Sequence, residues 1–548
     1  MKLYQKYCKE TVDAAGRLTA FELVYPPDFN FGYDVVDAIA AARPDKVALV
    51  WCDTSGAEKV LTFGEVKDLS DRAAQVFLSN GISKGDMVMV MLKRRWEYWV
   101  TAVALAKIGA VLAPVTHKLT EEDIAYRLST AHMKAVLSVE TDDAPARVAA
   151  GIALSGETGC KLFTLDTERQ AEKPADAVNF TKELAAAAPI TARHKTAAEE
   201  PMLAYFTSGT TGHPKGVLHN HIYPLAHIPT AAYWQRVRED GLHFTVAETG
   251  WAKSSWGKIY GQWLAGSAVM VYDFDNFDPR GLMHVINRYG VTTFCAPPTI
   301  YRYMVKTGVS AMPSLEHATT AGEALNPEVS DRFREATGLA IHEGYGQTES
   351  VAILANFRGQ AVKPGSMGLP NPVYQVSIQK LDGAPAPVGE PGEIVIHPKA
   401  DGGSPDGLFY DYFGDHALYE AVWEGGVYHT GDVAYADEDG YFWFQGRADD
   451  IIKTGGYRVG PFEIENVLME HPAVMECSVV GVPDKLRGQA IKAVVALAPG
   501  TEPTPALAKE IKDFTNKRVA DYKWIRQLEF VEEMPKTVSG KIKKKDQR

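Results

Sequence analysis

The sequence predicts an α/β protein: a large N-terminal domain of parallel sheets flanked by helices, a β-rich subdomain within it, and a small α+β C-terminal domain. Three observations carry this. Amphipathic and uniformly apolar segments alternate between Thr62 and Val115; Gly and Pro become dense beyond about Pro364, where short alternating stretches take over; and a polar, glycine-bearing segment at 446–460 precedes the last part of the chain.

Thr62 and Glu65 form a capping box, after which Val66, Leu69, Ala73, Val76 and Phe77 keep helical spacing up to Gly81 as the stop. Met87 to Leu92 is an unbroken apolar run, as in a strand buried on both faces of a parallel sheet. Trp96 to Ile108 reads as a further helix ending at Gly109, and Ala110 to Val115 as the next strand. Further on, YQVSIQKL and EIVIHP alternate like strands, and Val433 to Gln445 reads as a hairpin turning at Asp437 to Gly440. Pro461 opens a helix with Ile464, Val467 and Leu468 on one face. ECSVVGV and IKAVVAL follow as strands, and Leu507, Ile511 and Phe514 form the apolar face of a helix. The domains are therefore placed at 1–448, with the β-rich part at about 360–446, and at 449–548.

The charge sum, 57 Lys+Arg against 69 Asp+Glu for a net of −12, argues against a surface built to grip nucleic acid or anionic lipid. Five cysteines without a C-x-x-C pair indicate neither a disulfide framework nor a zinc site. The first residues lack the features of a secretory signal. The most apolar stretch, Trp99 to Val115, is broken by Lys107 and falls short of the roughly 20 residues that a membrane span needs. A cytoplasmic enzyme is expected.

Chemistry concentrates in YFTSGTTGHPKG (Tyr205 to Gly216), with hydroxyls at Thr207, Ser208, Thr210 and Thr211, glycines at Gly209, Gly212 and Gly216, and a cation at Lys215. Glycines let backbone N–H groups approach phosphate oxygens, hydroxyls add donors, and the lysine neutralises charge. It is not a Walker A loop, since Pro214 stands where the second Gly belongs and Gly216 where Ser or Thr belongs. Taken with GYGQTES (Gly344 to Ser350), the stretch Tyr428 to Glu465 and PKTVSGK (Pro535 to Lys541), this loop resembles the signature of the adenylate-forming superfamily, which includes acyl-CoA synthetases, adenylation domains and luciferases.

The resemblance implies that a carboxylic acid is activated with ATP and Mg²⁺ to an acyl-adenylate and then passed to the thiol of coenzyme A. Carboxylate attack on a phosphate brings anions together, so positioned cations and a metal should dominate the rate enhancement. By the resemblance Glu349 holds the metal, Thr207 to Gly212 and Lys215 cradle phosphates, Gly322 and Glu323 line the adenine, and Glu343, Gly344, Tyr345, Gly346, Gln347 and Thr348 face the nucleotide. Asp432 accepts the ribose hydroxyls, an acceptor-only role, with Arg447 on the ribose or phosphate side. Lys541 is the adenylation lysine, acting with Glu349 and Thr207. Asp449 matches the hinge about which a mobile C-terminal domain turns to present Gly455, Gly456, Tyr457 and Arg458 to coenzyme A.

The acyl pocket is expected to draw on Glu248 to Gly266, with Trp251, Trp256 and Trp263 as walls, Gly261 and Gly266 as floor, and Gly346 leaving room for an acid larger than acetate. This segment looks most like the medium-chain acyl-CoA synthetase branch. Lys253 and Lys258 either meet a polar substrate group or point to solvent. His213, His219, His221 and His227 have spacing that permits a metal, but without acidic or cysteine partners they read as helix-surface residues. The expected activity is ATP-dependent ligation of a short-to-medium, branched or unbranched acid to coenzyme A, with an aryl-CoA ligase or a carrier-protein-loading enzyme as alternatives. A non-catalytic nucleotide sensor is disfavoured, because binding alone does not require Lys541.

Overall fold

The computed structural model describes residues 2–141, 143–166, 174–208, 214–323, 325–380, 382–536 and 542–548. Among these residues the chain builds an eight-stranded and a nine-stranded sheet, a four-stranded antiparallel sheet, a five-stranded C-terminal sheet and a two-stranded N-terminal ribbon.

In the helix Phe63–Ser79 the Glu65 N–H donates to the Thr62 hydroxyl at 3.2 Å and the Thr62 N–H donates to the Glu65 carboxylate at 2.8 Å. This satisfies two N–H groups that a helix end leaves over. Val66, Ala73, Val76 and Phe77 are buried on its inner face. The strand Met87–Met91 is buried at every residue and pairs in parallel with Val111–Pro114 and Ala135–Ser138. The helix Glu97–Ile108 is enclosed on all sides, with the Trp99 indole donating to the Lys258 carbonyl at 2.6 Å. Its Lys107 is buried between Asp37 at 2.7 Å and Asp71 at 2.6 Å, so the charge that interrupts the apolar stretch is paired in the interior.

Two sheet edges position the site. The strand Pro201–Ser208 lies parallel to Val111–Pro114 and antiparallel to Pro214–Asn220, so the glycine-rich segment joins a hairpin whose last pairs include Thr207 with Lys215. In the nine-stranded sheet, Leu242–Thr245, Thr293–Ala296, His317–Ala321 and Ile341–Tyr345 run parallel. Residues 322–323 and 346–349 therefore leave the carboxyl ends of neighbouring strands, where open α/β sheets bind ligands.

The β-rich region forms Gln375–Gln379, Gly392–His397, Tyr428–Ala436 and Phe442–Arg447 as an antiparallel ladder. The expected hairpin is present, with Tyr435 opposite Trp443, the Asp437 N–H donating to the Tyr441 carbonyl at 2.9 Å and Gly440 at φ 81°. One segment departs from its neighbours: Asp411–Phe413 joins the eight-stranded sheet and pairs with Pro214–Asn220. In the C-terminal domain Val474–Asp484 and Gly488–Leu497 form a long hairpin, with Gln527–Val531 parallel to the second strand. Ile464, Leu468 and Ile511 from two helices close its core.

Candidate active site

The carboxyl end of the strand Ile341–Tyr345 meets the strand Tyr428–Ala436 at Asp432. One oxygen of that carboxylate accepts the Tyr345 hydroxyl at 2.6 Å and the Gln347 amide at 2.7 Å, while the other accepts Arg447 at 3.2 Å. Gln347 also donates to the Thr430 carbonyl at 2.7 Å and accepts the Tyr428 hydroxyl at 2.9 Å. Burial, reinforced by Asp432, holds the Tyr345 hydroxyl protonated and so keeps it a donor. Arg447 also approaches Asp449 at 3.9 Å, so it pairs with two carboxylates.

Glu349 stands on the opposite side of the same loop. One of its carboxylate oxygens accepts the Tyr412 hydroxyl at 3.0 Å, and its carbonyl accepts the Phe409 N–H at 2.7 Å. Lys215 lies 5.5 Å from the centroid of the Tyr412 ring, so the phenol is in contact with both a cation and a carboxylate. Tyr412 is buried in the strand contributed by the β-rich region, and only that non-local pairing shows it belongs here. Thr348 is held through its carbonyl by His219 Nε2 at 2.8 Å. The Glu349 carboxylate keeps one oxygen without a hydrogen-bond partner among the described residues. A half-buried carboxylate fits the oxygen-donor preference of Mg²⁺. Gly209, Thr210, Thr211, Gly212, His213 and Lys541 lie outside the described residues, as does the Ser208 side chain.

Glu343 is a further fastening. Its side chain is fully enclosed, one oxygen accepting the Gly365 N–H at 2.8 Å and the other the Leu325 N–H at 3.3 Å. Burial pushes its carboxyl up to about 8 against the pull of these two donors. It ties the segment that follows Gly322 and Glu323 to the loop at Gly365. Gly322 has φ 101°, which a side chain would strain, and Glu323 accepts the Thr299 hydroxyl at 2.8 Å.

Gly322, Glu323 and Arg447 line a cavity of about 310 Å³ together with Lys536 and Ile542 of the C-terminal domain. Lys536 and Ile542 pair with each other at the edge of this cavity. Gly455 and Tyr457 instead line a separate cavity of about 210 Å³ with Arg487, Tyr522, Trp524 and Arg526, all from the C-terminal domain. Gly455 and Gly456 have φ 57° and 85°, and the Gly455 N–H donates to the Arg487 carbonyl at 3.0 Å. The Tyr457 ring stacks on Tyr522 at 4.3 Å. Arg458 is exposed beside it. Neither arginine at 487 or 526 belongs to a sequence motif, so only folding brings them to this loop.

Around the expected acyl pocket the structure keeps some positions and moves others. Trp251 is half-buried, and Trp256 is buried against Gly346: a Cβ on Gly346 would stand 2.4 Å from the Trp256 ring. Trp263 is not a wall; it packs in the core against Phe31 and Phe63 and donates to the Ala48 carbonyl at 3.0 Å. Gly266 is no floor either, since its neighbour is Glu239, whereas Gly261 packs on the His227 backbone. Neither lysine extends to solvent: Lys253 donates to the Ala321 carbonyl at 2.6 Å, and the buried Lys258 to the Ala247 carbonyl at 2.7 Å. Burial lowers the Lys258 ammonium to about 7. The histidines read as surface residues are buried at 219, 221 and 227, because strand Pro214–Asn220 and the turns after it are covered by the rest of the domain.

These features lie between a two-sheet domain and a smaller C-terminal one, and comparison with known proteins names the class. The profile of the AMP-binding enzymes matches residues 36–400, and that of the AMP-binding enzyme C-terminal domain matches 463–541. The chain belongs to the AMP-binding enzyme family. Acyl-coenzyme A synthetase ACSM3, mitochondrial, of Mus musculus is 38% identical over 540 residues, covering 96% of this chain and 91% of its own. ACSM5, mitochondrial, of Rattus norvegicus is 38% identical over 529 residues, covering 94% and 90%. Among solved structures, the anthranilate CoA ligase AuaEII in complex with anthranoyl-AMP superposes with a TM-score of 0.85 at 26% identity, covering 94% of this chain and 96% of its own. Brucella canis acyl-CoA synthetase superposes at 0.72 with 31% identity, covering 96% and 95%. The protein is accordingly an acid–thiol ligase of the acyl-CoA synthetase type, working with ATP, Mg²⁺ and coenzyme A. No helix among the described residues is long and apolar enough to cross a membrane.

Proposed function

We propose that the enzyme activates a short-to-medium carboxylic acid, branched or unbranched, as its acyl-adenylate at the junction of Asp432, Glu349 and Gly346, and transfers it to coenzyme A with release of AMP. The convergence on Asp432 of Tyr345, Gln347 and Arg447 carries this reading. It prepares a carboxylate acceptor, braced on three sides, for two ribose hydroxyls. Glu349 would hold Mg²⁺, which supplies charge neutralisation on the phosphates. Thr207 and Lys215 stand opposite each other at the mouth of the glycine-rich loop, where hydroxyl and ammonium would contact phosphate oxygens. Gly322 and Glu323 would receive the adenine, and Lys541 would bridge the acid's carboxylate and the α-phosphate.

The second step needs another face of the C-terminal domain. Gly455 and Tyr457 line a cavity apart from the one bordering Gly322 and Arg447, and rotation about Asp449 would exchange the two. Arg487 and Arg526, with Trp524 between them in sequence order, offer cations and an aromatic face suited to the nucleotide end of coenzyme A. A second reading, an aryl-CoA ligase, is favoured by one observation: the flat Trp256 ring packs against Gly346, within the segments expected to form the acyl pocket. Loading of a carrier protein is the remaining alternative.

Pyrophosphate release over a panel of aliphatic and aryl acids, with and without coenzyme A, tests these readings. Acid-dependent release with thioester formation supports the ligase; release without coenzyme A consumption would move the acceptor to a carrier protein. Lys541→Ala should lose adenylation yet still form thioester from supplied acyl-adenylate. Equal loss of both steps would overturn the rotation.

A further inference from the structure

Behind the segment Gly344 to Ser350 lies a group of enclosed polar side chains that the chemistry above does not use. His227 is fully buried, and neither of its ring nitrogens has a hydrogen-bond partner among the described residues. Tyr223, equally buried, meets it edge-on with ring centroids 4.6 Å apart, and the Tyr223 hydroxyl is also unpartnered. The Trp256 indole N–H is likewise without a hydrogen-bond partner among the described residues, in a ring 6.3 Å from that of His227. Buried polar atoms are nearly always paired, so four left over in one place call for a partner of their own.

Position relates these atoms to the reacting end of the site. Trp256 is the ring that covers Gly346, and its six-membered edge is the part that a Cβ there would strike. The indole nitrogen belongs to the adjoining five-membered ring. His219 stacks on Tyr223 at 3.9 Å and bonds the Thr348 carbonyl, so the group is fastened directly to the loop that carries Glu349. Burial keeps His227 neutral, and a neutral imidazole offers one donor and one acceptor. Hydroxyl, indole and imidazole together can therefore satisfy a group that both gives and takes a hydrogen bond.

We propose that Trp256, Tyr223 and His227 form a polar far wall of the acyl pocket, and that the preferred acid carries a hydroxyl or carbonyl group on the end of its acyl chain or ring remote from the carboxylate. The inference rests on the ligase reading and narrows its substrate class. An acid with a purely apolar end leaves these atoms unpaired in a closed site, and sites built to bond a hydroxyl reject the analogue that lacks it. No bond is made or broken at this wall; it selects and orients.

The test pairs isosteric acids in the pyrophosphate-release assay: 5-hydroxypentanoate against hexanoate, and 4-hydroxybenzoate against 4-methylbenzoate. In at least one pair the hydroxyl acid should be favoured in kcat/KM by about tenfold or more, the value of one well-made hydrogen bond. Tyr223→Phe, which removes one oxygen and keeps the ring, and His227→Leu should each shrink that ratio toward one, chiefly by lowering the rate with the hydroxyl acid. Thermal melting of both variants reports whether the fold survives, and Tyr223→Phe serves if His227→Leu does not. Ratios near one in both pairs, unchanged by either variant, would mean that water alone fills the group and would overturn the inference while leaving the ligase reading intact. Absence of pyrophosphate release with every acid would overturn both.

Discussion

The Tyr345 hydroxyl donates to Asp432 at 2.6 Å, joining the end of a parallel strand in the nine-stranded sheet to an antiparallel strand of the β-rich region. Tyr345→Phe deletes this bond and leaves Gln347 and Arg447 in place. The KM for ATP should rise about three- to tenfold with little change in the KM for the acid, the effect of one lost hydrogen bond. Asp432→Asn should cost more, because Arg447 then loses its charged partner. Initial rates with each substrate varied in turn measure both.

Gly346→Ala places a methyl group 2.4 Å from the Trp256 ring and 2.7 Å from the Val351 carbonyl. The backbone cannot yield as a flexible side chain would, so the indole must move into the acyl space. Activity should fall at least about tenfold for the best acid, and the preference among acids should shift toward smaller ones. Unchanged selectivity across the panel would place the acyl group elsewhere.

Six enclosed histidines, at 219, 221, 227, 243, 317 and 342, have pKa values lowered chiefly by burial, to about 4 for His219, His221 and His342 and about 3 for His243. The unfolded chain takes up protons at these rings below about pH 6.5 while the folded chain does not, so stability is lost as pH falls from there toward 4. At pH 5.5 each contributes a loss of about 1 kcal/mol, and the sum approaches the whole stability of an ordinary domain. Tryptophan fluorescence should report cooperative unfolding between about pH 6 and 5. His221→Leu should move the midpoint lower, since neither nitrogen of His221 has a hydrogen-bond partner among the described residues.

Two groups titrate in opposite senses near neutrality. Glu343, raised by burial to about 8, binds a proton in the folded state that the unfolded chain has released, so its contribution is lost as pH rises from about 4.5 to 8. Lys258, lowered by burial to about 7, is neutral in the folded state where the unfolded chain is charged, so its penalty is lifted as pH rises from 7 toward 10.5. Between pH 8 and 10 the stability of the native protein should therefore gain on that of Lys258→Met by about 1 kcal/mol per pH unit. Urea unfolding of the pair at three pH values checks the slope; parallel curves would contradict it.

Glu343→Gln retains one acceptor oxygen for two backbone donors and turns an NH₂ group toward the other. Either the Gly365 loop or the segment after Gly322 is then released, and the KM for ATP should rise about tenfold with a smaller change in kcat. Faster amide exchange at Leu325 or Gly365 would identify which loop opened.

How far the sequence reaches is clear from particular residues. The Thr62–Glu65 cap, the strand Met87–Met91, the hairpin turn at Asp437 to Gly440 and the helix opened by Pro461 are local events, set by spacing, capping and turn chemistry within a few residues. Asp432, Glu349 and Arg447 were singled out for a related reason, because each sits in a short motif whose residue types match one chemical task.

Tertiary structure decided what distance along the chain conceals. Tyr412 reaches Glu349 only because a short strand leaves the β-rich region for another sheet, and Arg487 reaches Gly455 only through a hairpin. Trp263 and the histidines at 219, 221 and 227 have the composition of a pocket wall and a polar surface, yet packing from other segments made the first a core residue and enclosed the others. Composition and spacing set which groups are available and how each segment folds. Burial and partnership depend on segments hundreds of residues apart, and they determine which of those groups are held, neutralised or left open to substrate.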